Sequence, residues 1–285
     1  MEYRNSSLLK GVIAMMTCAF LWSIAGLFIK ILDWNPFLIA GLRSFIAFFF
    51  LLTIVRTVKL TWSWPLLGAS LANAATMLLF VTANKTTTAA NAILLQYLAP
   101  VFTAIFSVLI LKERLRLEQL LALFLTIAGM YLLFVDRLSE GQMFGNLLAL
   151  TSAFTFSLVF IFTRMMKEGD PLQSLMASHA VTAAIALTAA LFLPLPVFTP
   201  GAVASILVLG VLQIGLAAVF FSYGIKRIPA VTANMIALIE PVFNPVWVFL
   251  LLGEAPTRNV LLGGALIVGS VSTASLISGW RSTRA

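Results

Sequence analysis

Apolar residues along this chain run in unbroken blocks of about 20, the length needed to cross a hydrocarbon core of about 30 Å as a helix, and short polar joints separate them. The blocks fall at 11–32, 36–55, 65–84, 89–111, 117–135, 145–163, 172–193, 202–223, 231–252 and 260–279. This pattern predicts an all-α membrane protein of ten transmembrane helices. The joints leave no room for a separate soluble domain, so the whole chain is the membrane unit. The first block follows Glu2, Arg4 and Lys10 and lacks a small-residue cleavage site, which makes it a retained span rather than a signal peptide.

Composition agrees with the pattern. Hydrophobic residues make up 61% and charged residues 10% of the chain, where a soluble domain has about half and about a quarter. The net charge of +8 could suggest nucleic acid, but its placement assigns it to topology. With the N-terminus in the cytoplasm, Arg4, Lys10, Arg56, Lys59, Lys112, Arg114, Arg116, Arg164, Lys167, Lys226, Arg227, Arg281 and Arg284 fall on inner joints. The outer joints hold only Lys30, Lys85, Arg137 and Arg258, and Arg43 lies within a span. The positive-inside rule then sets both termini in the cytoplasm of a cell (inner) membrane protein. The lone cysteine, Cys18, forms no internal disulfide, and with a single histidine the chain offers no metal cluster. No cofactor is expected.

The second half of the chain repeats the first. Phe80 aligns with Phe221, Lys85 with Lys226, Ala89 with Ala230, Pro100-Val101-Phe102 with Pro241-Val242-Phe243, and Glu113 with Glu254. Further upstream Gly11 pairs with Gly145, Ala19-Phe20 with Ala153-Phe154, Ser23 with Ser157 and Pro36 with Pro171. The expected units are residues 1–138 and 139–285, five helices each. An odd number of spans per unit turns the second copy upside down relative to the first, the inverted-repeat arrangement of secondary transporters with a midplane site.

The stretch AANAILLQYLAPVFTAIFSVLILKERL and its counterpart ending in IEPVFNPVWVFLLLGE resemble the paired EamA repeats of the drug/metabolite transporter superfamily. Phe20-Leu21-Trp22-Ser23 is similar to the family's small-plus-Trp pattern in the first helix. The resemblance covers essentially the full length. It implies five plus five inverted helices, a central cavity lined mainly by helices 1, 3, 4, 6, 8 and 9, and transport of amino acids, nucleobases, sugars, quaternary amines or other metabolites, often outward. One departure is visible: the second copy ends in Gly253-Glu254-Ala255-Pro256 where the first has Lys112-Glu113-Arg114-Leu115.

Glu240 is the leading candidate for chemistry. A carboxylate in mid-span is costly in lipid and marks a coupling or substrate site. Its counterpart in the first repeat is Ala99, so an asymmetric charge sits in a symmetric frame. It suits either proton coupling or a cationic or zwitterionic small molecule. Pro241 and Pro245, and Pro100 in the first repeat, break their helices, and Pro100 deprives the Gln96 carbonyl of its usual donor. Asn244 and Trp247 follow Glu240 on one helical face, and a ring beside an acid suits a cation. Gln96 and Tyr97 stand just before Pro100, while Thr103 and Ser107 read as interhelical glue. Asn73 belongs to a polar stripe on the third span, answered by Gln213 and Tyr223 on the eighth. Trp22 lies mid-span, away from the surfaces where Trp anchors. Arg43 and His179 occupy nearly equivalent places after Pro36 and Pro171, where arginine can snorkel outward and a lone histidine is more often a satisfied hydrogen bonder. Glu113 reads as an interfacial salt-bridge residue beside Lys112 and Arg114.

The reading is a secondary active transporter exporting a small metabolite by alternating access about a midplane site near Glu240, which serves either proton coupling or a cationic substrate. The chain lacks a GxxxxGK[ST] phosphate loop. An intramembrane enzyme would need a cluster of acids, histidines or a nucleophile that this sequence does not offer, and a channel would not saturate.

Overall fold

The structure is a computed structural model. It describes the backbone of all residues except 1, 26–27, 29–31, 56–62, 88, 138–142, 167–169, 253–256 and 283–285, and it leaves out the side chains of 2–6, 81, 84–85, 89–90, 244–245, 248–249, 251–252 and 274–282. Among the described residues every regular element is helical. They are α1 (Glu2–Ser23), α2 (Pro36–Ile54), α3 (Trp64–Thr86), α4 (Ala89–Gln96), α5 (Ala99–Leu109), α6 (Leu117–Phe134), α7 (Met143–Met165) and α8 (Pro171–Ala190). There follow α9 (Pro200–Val208), a π-helical segment (Leu209–Leu216), α10 (Ala217–Ile225), α11 (Ala230–Ala237), α12 (Glu240–Leu252) and α13 (Arg258–Ser282).

Six stretches of these helices are long and apolar enough to cross a membrane, and Ser7–Ser23, Trp64–Phe80 and Ala230–Phe243 are shorter apolar helices. Four helix starts follow one local rule. Asn35, Ser63, Asp170 and Thr199 each accept a hydrogen bond from a first-turn amide, and proline occupies one of the first two helical positions. The side-chain oxygen satisfies a donor that has no intrahelical partner, and proline has no donor to satisfy.

Packing joins the first half of the chain to the second. The most extensive contacts pair α3 with α7, α6 with α13, α2 with α8, α3 with α8 and α1 with α10, and α5 packs on α11. Lipid is as apolar as leucine, so such packing rests on close approach rather than on hydrophobic burial. Small residues supply it. A Cβ on Gly263 would stand 2.5 Å from the Gly129 carbonyl oxygen, so α6 and α13 touch backbone to backbone. The buried cluster gathers Met15, Cys18 and Ala19 of α1, Phe160 of α7, Phe221 of α10 and Met235 of α11. Phe49, Leu121, Phe124, Phe144 and Leu262 are exposed, an apolar exterior suited to acyl chains. At the end of the bundle where α6 finishes, Asp136 accepts from Thr257 and Asn259 at 2.9 and 2.8 Å, which fixes the start of α13.

Two departures from straight spans matter for function. The expected helices at 89–111 and 231–252 are each two helices meeting at a break. The eighth span carries a π-helical turn in its middle, where Gly210 and Gly215 let α2 approach. Cβ atoms there would stand 2.5 Å from Ile46 and 2.5 Å from Phe50. A π turn inside an α-helix is rare and is frequent at functional sites.

Candidate functional site

The two breaks are built alike. α4 ends at Gln96 and α5 starts at Ala99 with Pro100 in its first turn; α11 ends at Ala237 and α12 starts at Glu240 with Pro241 next. Each break closes with short-range backbone bonds, Leu98 N to Leu95 O at 3.2 Å, and Leu238 N to Met235 O and Ile239 N to Ile236 O at 3.1 and 3.0 Å. Each proline thus sits where its missing amide costs nothing.

A clamp joins the two broken helices. Asn234, fully buried on α11, donates from Nδ2 to Thr103 Oγ1 on α5 at 2.6 Å, and Thr103 donates onward to the Ala99 carbonyl at 2.9 Å. Thr103 is therefore glue, as expected. Asn234 was not singled out in the sequence, although an amide within so apolar a run, shortly before Glu240, was a signal for it.

Clamping brings Tyr97 and Glu240 together. Tyr97 is buried at the first break, and its hydroxyl lies within hydrogen-bonding reach of the half-buried Glu240 carboxylate at the second. Glu240 opens α12, where unsatisfied amides favour negative charge. Cys18 of α1 is also within electrostatic range of the acid.

Arg43 of α2 is the cation whose field reaches Glu240, and it reaches His179 of α8 as well. It does not snorkel. Its residue is 8% exposed, its Nη2 donates to Met77 Sδ of α3 at 3.4 Å, and its Nε has no partner. Among the described residues no carboxylate lies within salt-bridge distance of it. The π-helical segment approaches its backbone: a Cβ on Gly210 would stand 3.2 Å from the Arg43 carbonyl oxygen. Gln213 of that segment buries an Oε1 without a partner, and His179 buries an unpartnered Nδ1. Each such atom costs about 1–3 kcal/mol if nothing pairs with it.

Aromatic side chains of α1 pack against α12, the helix that Glu240 opens. Phe20 meets Phe243 and Trp247 edge-on at 5.2 and 5.4 Å, and Trp247 Nε1 donates to Ser23 Oγ at 2.9 Å. Trp22 packs against Phe156 and Phe221 at 6.1 and 5.9 Å. Gln96 is half-buried at the end of α4, beside the first break.

The remaining candidates are held in a helix seam, exposed, or outside the described residues. Asn73 is engaged in the α3–α8 seam, donating to Ser178 Oγ at 2.9 Å. Tyr223 is exposed near the end of α10 with the Arg227 guanidinium 3.4 Å above its ring. Asn244 and Pro245 belong to α12, which runs on through Pro245 rather than breaking there as expected, but their side chains lie outside the described residues, as does all of Glu254. Among the described residues no group of acids, His and Cys could hold a metal ion.

At the end of the bundle where α1 begins, Glu113 pairs with Arg164 at 3.4 Å rather than with its neighbours Lys112 or Arg114. Arg164 also donates to the Ile225 and Lys226 carbonyls at 3.2 and 3.1 Å, and Lys226 lies 3.7 Å from Asp170. These pairs are partly exposed and each is worth at most about 1 kcal/mol, but together they tie the ends of α5, α7 and α10.

Comparison with known proteins gives consistent matches. The EamA-like transporter family matches residues 9–135 and again 143–276. An uncharacterized transporter of Archaeoglobus fulgidus is 30% identical over 268 residues, covering 92% of this chain and 94% of that one. The uncharacterized transporter YoaV of Bacillus subtilis is 24% identical over 282 residues, covering 91% and 94%. One protein crystal structure superimposes with a TM-score of 0.82 at 22% identity, over 94% of this chain and 96% of that one, a likeness of fold.

Proposed function

The chain belongs to the EamA-like transporter family, and we propose that it exports a small zwitterionic metabolite, of the amino-acid kind, across the cytoplasmic membrane in exchange for protons. It is a multi-pass membrane protein, and its family and the relatives it matches are named transporters. The outward direction is taken from what the family resemblance implies.

In this reading the spans number ten, with α4–α5, α9–α10 and α11–α12 each counting as one, and residues 1–138 and 139–285 are inverted repeats. Two matches to one family support the duplication. The packing supports a two-fold relation between the halves: exchanging them carries the α2–α8 and α6–α13 pairs onto themselves and swaps α3–α7 with α1–α10. An odd number of spans per repeat puts the two copies in opposite orientation, which gives two mirrored states around one midplane site. Both termini then face the cytoplasm, by the distribution of basic joints.

The observation that carries the reading is the meeting of the two helix breaks, with Tyr97 of one against Glu240 of the other. Glu240 holds either a proton or the ammonium group of the substrate, so the two compete and exchange is obligatory. Arg43 takes the substrate carboxylate, and Trp247 and Phe243 border the cationic end. Gln213 and His179 complete the polar lining.

The test is a thermal-shift screen of amino acids, nucleobases and quaternary amines on purified protein, followed by counterflow in liposomes with the strongest ligand. Ligands that bind only the folded state raise the melting midpoint. A zwitterion is expected to give the largest rise and to show saturable counterflow. Flux linear in concentration without counterflow would mean a channel, and a chemically altered product an enzyme.

A further inference from the structure

Away from the helix breaks, at the end of the bundle where α1 begins, Ser7 of α1, the α5–α6 joint, Gln119 of α6 and the α10–α11 joint enclose a cavity of about 700 Å³. Its lining includes three arginines, Arg114, Arg116 and Arg227. The joint is folded into place: Lys112 has a φ of 55° and the Glu113 amide turns back to the Ser107 carbonyl at 3.0 Å. Gln119 accepts from the Arg116 amide at 3.0 Å and donates to Thr232 at 3.2 Å, so the floor is fixed.

The charges in this cavity are unbalanced. Glu113, its one acidic lining residue, is engaged by Arg164 outside it. Arg116 lies 3.9 Å from Glu118, a distance that leaves most of its fork available, with the side chain 47% exposed. Arg227 donates to the Tyr223 carbonyl at 2.7 Å and stacks on the Tyr223 ring. Arg114 is exposed and has no ion pair among the described residues.

The flanking helices continue from the cavity into bare apolar faces. Leu9 and Ile13 of α1 are 59% and 53% exposed, and Leu117 and Leu121 of α6 are 69% and 56% exposed. A polyanionic headgroup with two hydrocarbon tails fits such a boundary, and basic pockets between membrane helices are known to take phosphate-bearing lipid heads. We propose that this cavity binds the phosphate of an anionic phospholipid, whose acyl chains lie along the exposed leucines of α1 and α6. The lining comes from three separate segments, so occupancy favours the arrangement in which they stand together.

The test uses the full chain in neutral detergent and reads its melting midpoint against added phosphatidylglycerol, phosphatidylcholine or inorganic phosphate. Phosphatidylglycerol is expected to raise the midpoint, and the other two are not. In the double variant Arg114→Gln/Arg116→Gln the half-saturating phosphatidylglycerol concentration rises about thirtyfold, about fivefold for each guanidinium, with the lipid-free midpoint unchanged because both side chains are exposed. Should the variant melt lower without lipid, salt decides on the wild type: screening removes the phosphatidylglycerol effect if the charges hold the headgroup. An effect insensitive to salt, or a variant as sensitive to phosphatidylglycerol as the wild type, overturns the proposal. So does phosphatidylcholine acting as strongly, and inorganic phosphate acting as strongly would make this a free-anion site instead.

Discussion

In proteoliposomes the Glu240→Gln variant is expected to lose proton-driven transport and labelled-for-unlabelled exchange together, each by about a hundredfold, or about 3 kcal/mol. The carboxamide has the shape of the acid and retains an oxygen for the Tyr97 hydroxyl, but it carries neither a proton that can leave nor a charge that can hold a cation. A desolvated charge deprived of its partner loses about 2–5 kcal/mol. The fold should not suffer, because a neutral amide costs less to bury than a carboxylate, so the melting midpoint stays level or rises. Exchange that survives while proton-driven flux is lost would restrict Glu240 to the proton and place the cation elsewhere. Unchanged flux in both assays would remove Glu240 from the mechanism.

Arg43→Met separates the two ends of the substrate. Methionine matches the length of the arginine stem, and the native guanidinium has one sulfur partner at 3.4 Å and an Nε with none. Replacing a buried ion by a well-packed apolar side chain is often neutral or stabilising, so the variant is expected to melt no lower than the wild type. Transport of the zwitterion falls by about tenfold to a hundredfold, since hydrogen bonds to charged groups contribute about 1.5–3 kcal/mol. The decarboxylated amine, which presents nothing to Arg43, is carried as well as before. Equal losses for amine and zwitterion would make Arg43 a structural residue and refute its role at the carboxylate.

The sequence shows the breaks plainly and the facing of the helices poorly. Proline marks the break at Pro100 and at Pro241 because a missing amide can be tolerated only at a helix start, and capping residues before Pro36, Pro171 and Pro200 mark helix starts for the same reason. Rotation about the helix axis is different. A membrane helix is apolar on every side, so periodicity does not say which face meets protein. Arg43 could snorkel by its position alone, and only the packing of α2 against α3, α8 and the π-helical segment shows it buried. Asn234 and Thr103 meet across the bundle from opposite halves of the chain, a pairing no local pattern encodes. Tyr223 shares the eighth span with Gln213, yet it stacks with Arg227 near the helix end. Glu113 has basic neighbours on both sides in sequence but pairs with Arg164, because the turn at Lys112 redirects the chain.

The direct measurement is proton release on binding. Substrate, taken as the zwitterion with the largest thermal shift, is added to purified protein in weakly buffered detergent solution from acid to neutral pH, and the pH change is titrated. If one carboxyl serves proton and substrate in turn, the wild type releases a proton as substrate binds under acid conditions, less as the solution approaches neutrality, and Glu240→Gln releases none. Substrate that binds the wild type at acid pH without releasing a proton would contradict a shared site at Glu240.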